Sequence, residues 1–118
     1  MCGFFSTYFN TKSLDRELKQ KCINSLELLH HRGPDDSEYL DYKNNFLGFK
    51  RLSIIDPNNA KQPMFTSDKS MAIIFNGEIF NYKALRKHLV EKKIKLTTNS
   101  DTEVILKLYA IYKKNTYK

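Results

Sequence analysis

Between residues 35 and 75 the chain never sustains a helical period, and this most narrows what it can fold into. It breaks instead into short β-prone runs at 38–42, 46–49, 52–55 and 71–75. Asp35-Asp36, Asn44-Asn45 and Pro57-Asn58-Asn59 separate the first three, and Asn76-Gly77 closes the last. Short runs joined by such turn residues predict β-strands. An aromatic run at 3–9 (GFFSTYF) reads as one more strand, and a buried one. Helical spacing lies outside this block. Leu14, Leu18, Cys22, Leu26 and Leu29 predict an amphipathic helix capped by Ser13 and stopped by Gly33-Pro34. Residues 82–91 predict a second helix through Leu85 and Leu89, and 94–97 a short strand. Ser100 and Glu103 form a capping box, followed by a helix with Val104, Ile105, Leu108, Ile111 and Tyr112 on one face. Strands and helices without regular βαβ alternation predict an α+β fold in a single domain.

Composition removes several function classes. No apolar run is long enough to cross a bilayer, and no basic-then-apolar leader opens the chain, so a cytoplasmic protein is expected. The two cysteines, Cys2 and Cys22, form no C-x-x-C pair, and His30, His31 and His88 keep no zinc spacing, so no metal site is expected. The net charge of +7 comes from scattered lysines with no nucleic-acid motif, which reads as a solvated surface and not a nucleic-acid interface. Lysine outnumbers arginine 16 to 4, so each arginine marks a place where fork geometry counts. Arg32 and Arg51 are two of the four.

The chemistry-bearing residues are few. Cys2 follows the initiator methionine; with Met1 removed it carries both a thiol and a free α-amino group. Such an amine titrates near pH 7.7–8.0 in reference peptides and can take the thiol proton without a histidine. Taken alone, the residue also reads as an incidental terminal cysteine. Asn76 and Gly77 offer an amide side chain and an open backbone N–H suited to a developing oxyanion, or simply a turn. Arg51 suits a carboxylate clamp, or a surface ion pair. Asp101, in a first helical turn, stays ionised and suits a substrate ammonium, or merely complements the helix dipole.

In order along the chain, Cys2-Gly3, HRGPDD at 31–36, RLSIIDP at 51–57, NGEIFNY at 76–82 and TNSDTEVIL at 98–106 resemble the class II glutamine amidotransferases. These are N-terminal-nucleophile hydrolases, and the resemblance is nearest to the glutaminase domain of glutamine-dependent asparagine synthetases. It implies stacked antiparallel β-sheets flanked by helices, an αββα arrangement, with 1–118 as the front portion of the domain and a synthetase domain absent. It implies Cys2 as nucleophile, Asn76 and Gly77 as oxyanion hole, and Arg51 on the α-carboxylate of L-glutamine. Glu78 and Asp101 would hold the α-ammonium, and the backbone of Leu52, Ser53, Ile54 and Ile55 would line the pocket. The glutaminase step would need no cofactor; ATP and magnesium would serve the synthetase domain that accepts the ammonia. A phosphoribosyl-pyrophosphate or hexosamine-type amidotransferase, and a truncated non-catalytic remnant, are the alternatives. Phe49 departs from the histidine that the synthetases often have there, and Cys22 reads as a small core residue.

Overall fold

The computed structural model describes residues 2–10, 14–42, 44–53 and 59–117. The order of elements is β1 (Gly3–Tyr8), α1 (Arg16–Glu27), a 3₁₀ turn (His30–Arg32), β2 (Asp36–Tyr42), β3 (Asn45–Arg51), β4 (Met64–Phe65), β5 (Ala72–Ile73), α2 (Tyr82–Glu91), α3 (Asp101–Tyr112) and a closing 3₁₀ turn (Lys113–Tyr117). Helices and antiparallel sheets together make an α+β fold.

One sheet has the order β1-β3-β2, antiparallel throughout. Gly3 pairs with Lys50 and Tyr8 with Asn45, while Asp36 pairs with Arg51 and Tyr42 with Asn45. Helix α1 covers one face of it. Cys22 and Leu26 are the buried residues of α1, and Phe46 of β3 stacks on Tyr39 and meets Phe5 edge-on. Lys19 ties α1 to β2 through Asp41 at 3.3 Å and lies 5.6 Å from the Tyr39 ring centroid. Lys50, only 2% exposed, reaches Glu27 of α1 at 2.7 Å. Cys22 and Cys2 are both free thiols; burial and then the nearby Asp41 carboxylate push the Cys22 thiol up from its ordinary range.

The opposite face of β3 carries Phe49 and Arg51, both buried. The second sheet is the short β4–β5 pair, with Met64 opposite Ile73 and Phe65 opposite Ala72; it packs on α3. A further core forms where α2 meets α3, around Leu89, Val104 and Leu108, with Tyr82, Leu85, Ile94, Leu96 and Tyr112 packed against it. No described helix is long and apolar enough to cross a membrane.

Several expectations need correction. The first helix is capped by Asp15, whose Oδ1 accepts from Leu18 N–H at 2.8 Å; Ser13 lies outside the described residues. The aromatic first strand is an edge strand: Phe4 is 50% and Tyr8 67% exposed. The apolar run at 71–75 pairs as a strand only over Ala72–Ile73, because the Gln62 side chain takes the backbone groups of Phe75. Residues 94–97 form no strand: Ile94 and Leu96 turn into the α2–α3 core, and Thr97 N–H goes to Glu103. On α3, Ile111 is 43% exposed, whereas Leu106, off the expected face, is buried. Strand β3 ends at Arg51, so 52–53 are not strand; Ile54 and Ile55 lie outside the described residues.

Candidate active site

Backbone geometry brings the thiol to the end of β3. Since Gly3 pairs with Lys50, Cys2 stands beside Arg51 and Leu52. Cys2 Sγ accepts from Leu52 N–H at 3.3 Å and donates to Leu52 O at 3.5 Å, so one residue's peptide groups grip it on both sides. The Cys2 carbonyl is held as well. Asn76 Nδ2 donates to it at 2.9 Å and Arg32 Nε at 3.3 Å. Two side chains, 74 and 30 residues away in sequence, therefore anchor the same peptide.

Arg32 reaches that position because its 3₁₀ turn lies against β3. Gly33 follows the turn, and a Cβ there would stand 2.3 Å from Lys50 O and 2.6 Å from Arg51 N. Only glycine permits that approach. Asp35 continues the seam: its N–H donates to Arg51 O at 3.0 Å and its Oδ2 accepts from Ser53 N–H at 2.7 Å.

The opposing wall comes from the loop after β5 and the start of α3. Gly77 has no positive φ, so Asn76-Gly77 is not the left-handed hairpin turn that its spelling suggests. Its lack of a side chain serves packing: a Cβ would stand 2.7 Å from the Phe75 ring. Asp101 is buried at the head of α3, and its Oδ2 accepts from Ile79 N–H at 3.1 Å, which fixes the strand-to-helix loop to α3. Ser100 caps α3 by accepting from Thr102 N–H at 3.0 Å. The other half of the capping box does not form. Glu103, 2% exposed, turns away and accepts from the N–H and hydroxyl groups of both Thr97 and Thr98, at 2.7 to 3.0 Å. Burial raises its carboxyl, but these donors outweigh burial and hold it below the ordinary range.

Between the walls lies a cavity of about 360 Å³. Cys2, Arg51, Leu52, Asn76, Gly77, Glu78 and Asp101, all singled out from the sequence, line it together. Ser53 does not line it. Sequence reasoning missed Gln62, Ala60, Phe75, Ser100 and Thr102 as lining residues. It flagged Phe49 only as a departure; that ring is buried and forms part of the wall. The scarcity of arginine did mark Arg32, whereas nothing in the spelling around Gln62 points to a cavity. The cavity offers a guanidinium at one side, carboxylates at another and a thiol between peptide groups. That set suits a small zwitterion bearing a third, electrophilic group. Among the described residues no group of three or more His, Cys, Asp or Glu is placed to hold a metal ion.

Comparison with known proteins gives the family. The family model described as a glutamine amidotransferase domain matches residues 1–118. The chain is 43% identical to asparagine synthetase [glutamine-hydrolyzing] 1 of Bacillus subtilis over 117 residues, 97% of this chain and 18% of that protein. It is 40% identical to asparagine synthetase [glutamine-hydrolyzing] 1 of Arabidopsis thaliana over 115 residues, covering 95% and 19%. To asparagine synthetase B [glutamine-hydrolyzing] of Escherichia coli it is 39% identical over 109 residues, covering 92% and 19%. The chain thus spans less than a fifth of the length of these curated relatives. By the match along its whole length, the chain belongs to the glutamine amidotransferase domain family.

Proposed function

We propose that this domain hydrolyses the side-chain amide of L-glutamine through a thioester on Cys2 and supplies the ammonia to asparagine synthesis. The observation that carries the reading is the single cavity that gathers Cys2, Arg51, Asn76, Gly77, Glu78 and Asp101 from positions 2 to 101. With Met1 removed, the α-amino group of Cys2 takes the thiol proton and the sulfur attacks the amide carbon. The carbonyl π-electrons move to oxygen, where the Gly77 N–H and the Asn76 amide stabilise the charge. An amide NH₂ carries two protons, so donation to the Cys2 carbonyl occupies one and leaves the other for the oxyanion. On collapse the C–N bond breaks, the nitrogen takes the proton held by the α-amine, and ammonia leaves. Water then cleaves the thioester, releases glutamate and restores the thiol. The step balances with water alone and needs no cofactor.

Arg51 binds the substrate α-carboxylate, and Glu78 with Asp101 binds its α-ammonium. The backbone of the 52–55 segment completes the pocket; of it, Leu52 is a described lining residue. The arrangement is of the N-terminal-nucleophile αββα type, with 1–118 as the front of the domain. A synthetase domain that uses ATP and magnesium would consume the ammonia. The names of the relatives favour this acceptor over a phosphoribosyl-pyrophosphate or hexosamine acceptor.

The test is glutamate release from glutamine by the full-length gene product, with mass spectrometry of its N-terminus. Active protein should begin at Cys2, and Cys2→Ala should lose glutamine hydrolysis while keeping any synthesis driven by free ammonia. Glutamate release that survives Cys2→Ala, or active protein that retains Met1, would overturn the mechanism. Wild-type protein without turnover would favour the non-catalytic remnant.

A further inference from the structure

Gln62 stands outside every chemical role assigned so far, yet it joins the two segments of the opposing wall, the loop after β5 and the head of α3. It precedes β4 and is 9% exposed. Its Oε1 accepts from Phe75 N–H at 2.6 Å, while its Nε2 donates to Phe75 O at 3.1 Å and to Thr102 Oγ1 at 3.2 Å. One primary amide thus satisfies both peptide groups of Phe75, as a neighbouring strand would, and binds the first turn of α3 at the same time. Phe75 is the residue immediately before Asn76-Gly77, and Thr102 immediately follows Asp101.

We infer that Gln62 is a positioning residue: it sets the Asn76–Gly77 donors at a fixed distance from the head of α3. The inference rests on the proposed glutaminase reading and deepens it. The two segments are unequally dependent on Gln62. The head of α3 is also held by the Ser100 cap and by Glu103 on Thr97 and Thr98, while the loop is also held by Asn76 on the Cys2 carbonyl and, further on, by Ile79 on Asp101. Peptide 75 has its N–H and C=O on Gln62. Loss of the tie therefore moves the oxyanion donors more than the ammonium site. Donors that act only as charge develops affect kcat, whereas groups that bind the ground state affect KM.

Two variants of the full-length gene product test this. Gln62→Met keeps the length of the side chain and removes all three bonds; Thr102→Val removes one. Rates are taken per Cys2 titrated by a chloroketone analogue of glutamine, which needs a folded pocket to label the thiol, so a population that merely fails to fold drops out. Gln62→Met should lower kcat by between about 10- and 100-fold, the scale of a displacement near 1 Å in an active site, with KM for glutamine within about threefold. Thr102→Val should lower kcat less, and its effect should vanish in the Gln62→Met background. Hydrogen exchange supplies a readout independent of turnover: the Phe75 amide should lose protection in Gln62→Met, with the α3 amides unchanged. If kcat per reactive Cys2 stays at the wild-type value, or the loss lies in KM alone, the positioning role is wrong. Should the wild type prove inactive, the glutaminase reading fails by itself. Hydrogen exchange then decides the tie: a Phe75 amide protected equally in both proteins refutes it.

Discussion

Arginine is scarce here, and two of its four copies stand at the same peptide edge. Arg32 holds the Cys2 carbonyl, and Arg51 ends the central strand beside the thiol. A guanidinium meets a carboxylate with two parallel bonds, whereas an ammonium meets it as a point charge. Arg51→Lys should therefore raise KM for glutamine by about tenfold, the lower end of a lost charge-assisted bond, with kcat close to wild type. Steady-state glutamate release across glutamine concentrations measures this, and an unchanged KM would sink the clamp. Such residues were legible because their types carry their own chemistry. Gln62 was not, since glutamine is mostly a surface residue and its value here depends on a backbone 13 residues further on. Arg32 lay between these cases: its composition marked it, but its partner is a carbonyl 30 residues upstream, which no local pattern reveals.

Elements were legible where packing and local pattern agree. Helix α2 spans Tyr82–Glu91 as its leucine spacing implies, and Ser100 caps α3. They were misread where a side chain replaced a backbone partner. Glu103 has the spelling of a capping box, yet its carboxylate pins the loop before the helix. This has a pH signature. The folded carboxyl titrates below its unfolded value, so the unfolded chain binds the proton more readily. The stabilisation is thus complete above the unfolded value, about 4.3, and is lost as pH falls through the lower folded one. Glu103→Gln should melt below wild type at neutral pH, and the gap should close as pH drops from about 5 toward 3. Thermal unfolding across that range reads it. A gap that persists undiminished at the acid end would mean that the charge of Glu103 contributes nothing.

At the scale of the whole molecule, compactness is the informative quantity. The radius of gyration is 15.1 Å and the extents are 47 × 31 × 23 Å. A compact domain of this length would have a radius of about 13.5 Å. Phe4, Tyr8, Leu28 and Phe80 are half to almost fully exposed, and β1 and β2 both lie at sheet edges. Exposed aromatic surface beside unpaired edges promotes association. Residues 1–118 expressed alone should bind an apolar dye, melt broadly and fail to sustain glutamine turnover. A sharp thermal transition together with sustained glutamate release would show that this stretch is self-sufficient. The antiparallel α+β class was readable from short runs and turns. The division into a three-stranded and a two-stranded sheet was not, because strand partners are chosen by long-range pairing that a single sequence does not display.

The pairing of Gly3 with Lys50 acts as a ruler for the chemistry. A strand advances about 3.3 Å per residue and alternates its faces. A one-residue slip of β1 would therefore carry the sulfur a full residue length from Leu52 and turn it from the cavity toward α1. Length changes in the connection between β1 and α1 leave that measure untouched, whereas a single insertion inside β1 does not. A lineage can vary the first freely; the second is closed to it for as long as the thiol is needed.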